Sequence, residues 1–307
     1  GQPEQALIKS KTTFAGLCPN GLAPMRKDSQ VRGPHGAETE PNVSSIWLMP
    51  TMLVVVVALA CTGAFFFAAT RGALIVRGLM SGPKSPAAHV YPIYSNMKLI
   101  RLVDFQPIIA AILLFQYDRL VSIITAGLRK QHLQGKKALI TSCAFGNVMP
   151  RVTRAALQAG ADEVQVVDII ENELLNAQRK MPEFKASVRY LRQDAASVGL
   201  PDASVDANVV FFLLHELPHE LKGVVLAEAC RVLAPGGKLY LAEFHRPHLR
   251  VLRTLSWVYF KVFEPLGLAL WNTHDPLAAL QAMPEIAHCE RRTVFFGNFQ
   301  VITATKA

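Results

Sequence analysis

Two short stretches of the sequence place histidine and glutamate where they could support acid–base or metal chemistry. His215 and Glu216 follow an apolar run in FFLLHELPHE, and Glu243 and His245 follow another in LYLAEFHRP. Imidazoles and carboxylates brought together can move protons or bind a divalent metal. The alternative is that the same side chains hydrogen-bond to loops and hold them in place. Both interpretations require the four residues to meet at neighbouring strand ends.

Residues 215–219 also spell HExxH, the string found in zinc proteases. That string binds zinc only when both histidines lie one turn apart on a helix. Here it follows an apolar run, and Pro218 falls inside the turn that the helix would need. We therefore reject a zinc protease and expect Pro218 to begin the next helix. His215 and Glu216 would then lie at the carboxyl end of a strand and face a pocket.

The elements that must position these residues alternate from residue 136 onward. Strands are predicted at 138–142, 163–168, 189–193, 207–214 and 238–244, and helices at 150–158, 170–180 and 221–233. Repeated β-α units imply an α/β fold with a parallel sheet. At the C-terminus, strands at 292–296 and 299–305 flank Gly297-Asn298, which predicts a hairpin with a two-residue turn. A mostly parallel, Rossmann-like sheet that ends in an antiparallel hairpin resembles the layout of class I S-adenosylmethionine-dependent methyltransferases.

The loop after the first predicted strand is the expected place for a cofactor, because open α/β sheets bind ligands outside the carboxyl ends of their strands. In class I methyltransferases this loop is rich in glycine, since the backbone passes close to the methionine part of S-adenosylmethionine. Here only Gly146 remains, and the small residues Ser142 and Ala144 occupy the other two places. We expect all three to contact the cofactor.

Two acids at later strand ends extend this site. Asp168 ends the second predicted strand about 20 residues beyond Gly146, where an acid accepts hydrogen bonds from ribose hydroxyls. Asp194 closes the third strand in RQDAA, where class I methyltransferases commonly hold the adenine amino group. Asp168 could instead, or in addition, stabilise the N-terminus of the following helix.

A long apolar segment precedes the α/β region. No charged residue lies between Glu40 and Arg71, and Trp47 stands near the start as an interfacial anchor. We predict an irregular extension at 1–44 and one transmembrane helix at 45–71. Basic residues follow the segment without an acid until Asp104, so the positive-inside rule places the C-terminal domain in the matrix or cytosol. We expect a single-pass protein of the mitochondrial inner membrane, with that domain in the matrix.

Residues 72–135 are predicted to be a linker followed by an apolar helix at 107–128. Three prolines at 82–96 mark the linker. The helix either covers the pocket while lying on the bilayer surface or belongs to the core of the domain. The cofactor-binding domain is predicted to occupy 136–307.

Charge and cysteine content exclude other classes of protein. The net charge is +9, but the basic residues are scattered and no nucleic-acid motif appears, so we expect membrane lipid rather than nucleic acid as a partner. The five cysteines lie far apart in the sequence and predict neither disulfides nor a zinc site.

Three segments carry a resemblance to a known family. FFLLHELPHE, EACRVLAPGGKLYLAEFHRP and FEPLGLALW resemble the rhodoquinone-biosynthesis methyltransferase-like (RquA-type) family, over roughly residues 88–307. The resemblance implies a ubiquinone-type substrate, S-adenosylmethionine used as an amino donor, and a divalent metal, manganese, whose ligands it leaves unknown. That family also departs from the glycine-rich loop.

Two other functions fit the same sequence. One is an ordinary methyltransferase that acts on a lipid or a quinone. The other is an accessory subunit of a mitochondrial respiratory complex that keeps the fold without the chemistry. The loss of glycines from the loop, the N-terminal extension and the membrane anchor are all consistent with such a subunit.

Overall fold

The computed structural model describes residues 43–81 and 91–307. Predictions for 1–42, and for the part of the linker at 82–90, lie outside the described residues. Contacts divide the chain after Met52. The described part of the first unit is helical, and the second unit, Leu53–Ala307, carries the sheet.

One seven-stranded sheet organises the second unit. Its strands are β1 Lys137–Thr141, β2 Glu163–Asp168, β3 Val188–Arg192, β4 Val205–Phe211, β5 Leu233–Phe244, β6 Ile286–Val294 and β7 Phe299–Lys306. Their order is β3-β2-β1-β4-β5-β7-β6; the first five run parallel, and β7 pairs antiparallel with β5 and β6. The prediction of a mostly parallel sheet with an antiparallel end is therefore confirmed.

Helices cover the sheet and precede it. They are α1 Val43–Phe67, α2 Ala73–Ser81, α3 Met97–Val103, α4 Gln106–Ile112, α5 Tyr117–Arg129, α6 Val148–Gln158, α7 Glu171–Lys180, α8 His219–Arg231, α9 Arg250–Val262 and α10 Pro276–Gln281. The sheet's two faces form separate cores because neighbouring strand residues point in opposite directions. In β1, Ile140 belongs to the core that includes α5 and α6, whereas Leu139 belongs to the core that includes α8. Burial on both faces explains why the central strands are almost wholly apolar.

The N-terminal apolar segment is helical. α1 continues through one π-helical turn, Ala68–Gly72, into α2. Within it, Met49–Arg77 spans 29 residues with a mean hydropathy of 2.5, and none of its most apolar stretch is buried by the protein. This helix is long and apolar enough to cross a membrane.

The prediction of one helix at 107–128 is wrong, because the segment forms two. α4 and α5 meet at an angle of 95°. Leu114 and Phe115, between them, have φ values of 50° and 59° in the left-handed region. A right-handed helix cannot continue through two such residues, so α5 starts afresh at Tyr117.

The turns of the C-terminal half also differ from the predicted ones. The hairpin loop is Phe295–Asn298, four residues rather than two, because Phe295, Phe296 and Gly297 all have positive φ. A Cβ on Gly297 would lie 2.7 Å from the His248 ring, so only glycine fits there. The Pro-Gly-Gly sequence forms an irregularity within β5, where the pairing with β4 shifts register.

Candidate active site

The site lies at the carboxyl ends of β1 and β4, which are neighbours although their chain connections lead to opposite sides. Ser142 after β1 and Phe212 after β4 both have positive φ, 72° and 53°. Non-glycine residues in this region are strained and cluster at functional sites. A cavity of about 450 Å³ opens here, within the size range of small-molecule sites.

Asp168 lies where the sequence predicts it, at the end of β2, and lines the cavity. One carboxylate oxygen accepts the Cys143 N–H at 2.7 Å and the Ser142 hydroxyl at 3.2 Å, and the other accepts the Ile170 N–H at 2.7 Å. Burial raises the pKa of Asp168, while these hydrogen bonds lower it. The carboxylate therefore ties the β1 loop to β2 and fixes the shape of this end of the cavity.

The other predicted cofactor contacts divide into two groups. Ser142, Ala144 and Asp194 line the cavity, and the Asp194 carboxylate accepts the Ala196 N–H at 2.9 Å. Gly146 is not among the described lining residues. Its N–H donates to Asp104 at 2.6 Å, its φ is +77°, and a Cβ there would lie 2.5 Å from the Tyr117 hydroxyl. Protein contacts alone require this glycine.

Three of the four acid–base candidates come together. His215 and Glu216 lie in the loop between β4 and α8, which begins at His219, directly after Pro218 and two residues before the predicted helix at 221–233. Nδ1 of His215 is 3.1 Å from the buried carboxylate of Glu243, and Nε2 is 3.9 Å from Glu216. Burial lowers the pKa of His215, but the charge and hydrogen bond of Glu243 outweigh it and raise the pKa to about 9. The imidazole is therefore held as a cation.

His245 takes a different position. Its Nδ1 lies 2.7 Å from the Gly297 carbonyl oxygen and its Nε2 lies 3.3 Å from the Arg291 guanidinium. These contacts connect the end of β5 to the hairpin. His245 thus contacts the hairpin loop in the structure and is not among the described residues that line the cavity.

Two tyrosine–glutamate pairs, one buried and one partly buried, complete the cluster, and three of their four residues were missed in the sequence analysis. The Tyr94 hydroxyl donates to Glu216 at 2.9 Å, and the Tyr91 hydroxyl donates to Glu264 at 2.6 Å. Burial raises the pKa of Glu264 to about 7. The available signals were two tyrosines around Pro92 in the linker and the acid of FEPLGLALW. Both were present but were not recognised as parts of the site.

Glu173 is a further buried acid on the cavity wall, beside Asp168 and Glu264. It lies in the first turn of α7, is only 4% exposed, and its Oε1 has no hydrogen-bond partner. Burial and the neighbouring charge of Asp168 raise its pKa to about 8. A buried oxygen without a protein partner calls for an explanation, and here it belongs to a residue that lines the cavity. This residue was not singled out in the sequence analysis.

These residues suit S-adenosylmethionine better than a metal. Asp168 and Asp194 stand at adjoining strand ends on one wall, and the unpaired oxygen of Glu173 faces the same space. No group of three or more His, Cys, Asp or Glu residues in 43–81 and 91–307 has an arrangement that could hold a metal ion. Nδ1 of His215 is already turned to Glu243. The manganese ion that the resemblance implies therefore has no ligand set in this part of the chain.

The chain is similar in sequence and in fold to known proteins. Residues 107–282 match the ubiE/COQ5 methyltransferase family. Demethylmenaquinone methyltransferase of Geobacillus sp. (strain WCH70) is 30% identical over 177 residues, which cover 54% of this chain and 74% of that protein. The ubiquinone/menaquinone biosynthesis C-methyltransferase UbiE of Shewanella pealeana is 28% identical over 144 residues, which cover 46% of this chain and 56% of that protein. The solved structure of a possible exported protein of Bordetella parapertussis shares the fold, with a TM-score of 0.52 and 13% identity. The match covers 80% of this chain and 96% of that one.

Proposed function

The chain belongs to the ubiE/COQ5 methyltransferase family, and from this premise we propose that it is a membrane-anchored S-adenosylmethionine-dependent enzyme that modifies a ubiquinone-type head group. One observation carries the proposal. A single cavity is lined by Asp168 and Asp194 at one part and by His215, Glu216 and Glu264 at another. A cofactor held by the two aspartates would therefore share one enclosed space with ionisable side chains.

The chain's own residues would bind the cofactor and handle protons. When bound, S-adenosylmethionine would supply the transferred group, which is either the methyl group on its electron-poor sulfonium or its amino group. Asp168 and Asp194 would hold the ribose and adenine, with Ser142 and Ala144 beside the methionine part. Glu264, with a pKa of about 7, would accept a proton from a quinol hydroxyl, because a general base works best when its pKa lies near the working pH.

The remaining members of the cluster would orient this chemistry. His215, held as a cation by Glu243, would donate a hydrogen bond to a quinone oxygen on the cavity side. Burial raises the pKa of Glu216, while the His215 charge and the Tyr94 hydroxyl lower it. Tyr94 and Tyr91 would fix the two carboxylates, so that each presents a defined oxygen to the head group.

Membrane anchoring follows from the substrate. A polyprenyl quinone leaves the bilayer at a cost of about 0.8 kcal/mol for each CH₂ exposed to water, so an enzyme that acts on it gains by staying on the membrane. We propose that Met49–Arg77 crosses the mitochondrial inner membrane and that the domain faces the matrix. The length and hydropathy of the helix, and the basic residues Arg71 and Arg77 at its C-terminal end, support this.

Two observations favour different transferred groups. The segments that resemble rhodoquinone-biosynthesis proteins favour transfer of the amino group, which we propose. The names of the curated relatives favour transfer of the methyl group. A doubly labelled cofactor decides between them. The full chain in lipid nanodiscs is given S-adenosylmethionine that carries heavy isotopes in its methyl carbon and its amino nitrogen, together with either reduced ubiquinone or a reduced precursor that has a free ring carbon. Heavy nitrogen in the quinone supports amino transfer and heavy carbon supports methyl transfer. A quinone that carries neither label contradicts both.

One observation favours the second candidate, an accessory subunit of a respiratory complex. The loop after β1 has lost most of its glycines, and its remaining Gly146 is committed to Asp104 and Tyr117. Purification from native membranes in mild detergent distinguishes the two. A subunit co-purifies stoichiometrically with a large complex, whereas an enzyme of quinone biosynthesis purifies without one and turns over quinone alone.

A further inference from the structure

The cavity does not end at the head-group site but reaches the apolar N-terminal helix. Its wall includes Leu59, Thr62, Gly63, Phe66, Ala69 and Thr70. Their spacing of three and four residues places them along one face of the helix. That face lies in the middle and the C-terminal half of Met49–Arg77.

This helix face is apolar in spite of its two threonines. The Thr62 hydroxyl donates to the Ala58 carbonyl at 2.8 Å, and the Thr70 hydroxyl donates to the Phe66 carbonyl at 2.8 Å. Each hydroxyl is satisfied within the helix, so each side chain can present its methyl group to the cavity. The face also contains the π-helical turn, a feature that is frequent at functional sites.

Size indicates what such a wall would contact. The cavity volume of about 450 Å³ is typical of a small-molecule site. A cofactor and a quinone ring would fill this volume, so a long tail would have to extend out of the cavity. The wall from Leu59 to Thr70 rises about 16 Å at ~1.5 Å per residue. That length matches one leaflet of a hydrocarbon core about 30 Å thick.

A second apolar surface adjoins the same cavity. Tyr259 and Phe263, in and just after α9, line the cavity. On the solvent side, α9 exposes four aliphatic residues spaced four, three and four apart, Val251, Leu255, Val258 and Val262, with exposures of 67%, 62%, 46% and 37%. An exposed apolar stripe with basic residues beside it is typical of a helix that lies in a membrane interface.

We propose that one face of α1 is the wall of a channel for the isoprenoid tail of the substrate; this inference rests on the proposed quinone chemistry. The face is formed by Leu59, Thr62, Gly63 and Phe66. The head group reaches His215 and Glu216 while the tail passes between this face and the α9 side of the cavity into the bilayer. The stripe of α9 rests in the same leaflet. The membrane helix is therefore part of the substrate-binding site as well as an anchor.

Gly63 allows a direct test, since a Cβ built on it meets nothing within 4 Å although the residue lines the cavity. Gly63→Leu would fill the channel without displacing the protein. Ala64→Leu is the matched control, because Ala64 is exposed and is not among the lining residues. The full chain in nanodiscs is supplied with ubiquinones carrying either a long tail or a single isoprene unit. The ratio of the long-tail rate to the short-tail rate should fall about tenfold in G63L and stay at the wild-type value in A64L.

A second measurement reads occupancy without turnover. A long-tail quinone with a diazirine on one of its first isoprene units, next to the ring, should label the helix within 59–70 on illumination, and G63L should reduce that labelling. Labelling elsewhere, or an unchanged rate ratio in G63L, overturns the channel. If the wild type turns over neither quinone but the tail still labels this helix, the proposed reaction fails while the channel stands.

Discussion

Replacing Glu173 with glutamine tests whether the cavity holds a carboxylate that is protonated in the free protein. The residue is 4% exposed, its Oε1 has no hydrogen-bond partner, and its pKa is raised from 4.5 to about 8. Between these two values the folded protein binds a proton that the unfolded chain does not. The free energy of unfolding therefore falls as pH rises through this window.

The magnitude follows from the two pKa values. A group that is protonated only in the folded protein changes the free energy of unfolding by ~1.4 kcal/mol per pH unit. The change is smaller near pH 8, because Glu173 is half ionised there. From pH 6 to pH 8 the free energy of unfolding therefore falls by about 2 kcal/mol. For a domain of this size that corresponds to a decrease in melting temperature of about 5 °C. Glutamine resembles the protonated acid, so Glu173→Gln should remove this part of the pH dependence.

Thermal melting of the full chain in detergent between pH 6 and pH 8 provides the measurement. Glu171→Gln is the matched control: it lies on the same helix, and its exposed ion pair with Arg192 contributes little. Wild type and E171Q should lose stability with rising pH, and E173Q should lose about 2 kcal/mol less. If all three proteins show the same slope, Glu173 is ionised throughout and the reasoning is refuted.

The remaining predictions concern the ligands and the topology. Asp168→Ala should weaken S-adenosylmethionine binding severalfold by calorimetry, because charge-assisted hydrogen bonds to ribose are lost; unchanged affinity would contradict the ribose contact. Glu216→Gln should leave cofactor binding intact and lower turnover about 10²-fold; full turnover with a lower melting temperature would show that Glu216 only supports the loop. In sealed vesicles, protease should reach residues 1–44 and the C-terminal domain from opposite sides, and cleavage of both from one side would exclude a span.

The sheet could be predicted from the sequence because its signals are local. Buried parallel strands are continuous apolar runs bounded by polar residues, and β2 begins and ends at the predicted residues, Glu163 and Asp168. The break between α4 and α5 could not be predicted in the same way. Leu114 and Phe115 adopt left-handed conformations without a glycine or proline to indicate them.

The site was only partly predictable, because burial determines the behaviour of its acids. Asp168 was found from its place at a strand end, which topology fixes. Glu173 and Glu264 have the sequence context of ordinary surface acids, and only packing gives them their raised pKa values. The cofactor contact of Gly146 stays a prediction, and the structure adds a second reason for a glycine there, since Tyr117 and Gln106 fill the space beside it.

The hydrogen bonds that assemble the site cross the predicted domain boundary at residue 136. Tyr91 reaches Glu264 across 173 residues of sequence, and Tyr94 reaches Glu216 across 122. Asp104 holds the Gly146 N–H and pairs with Lys180 at 2.9 Å. The family match begins only at residue 107, so these partners lie in a part of the chain that the match does not include. Contacts between such distant residues leave no periodic signal in sequence. The described part of the segment that looks like a linker therefore lines the cavity, and its two tyrosines hold two of the glutamates there by hydrogen bonds.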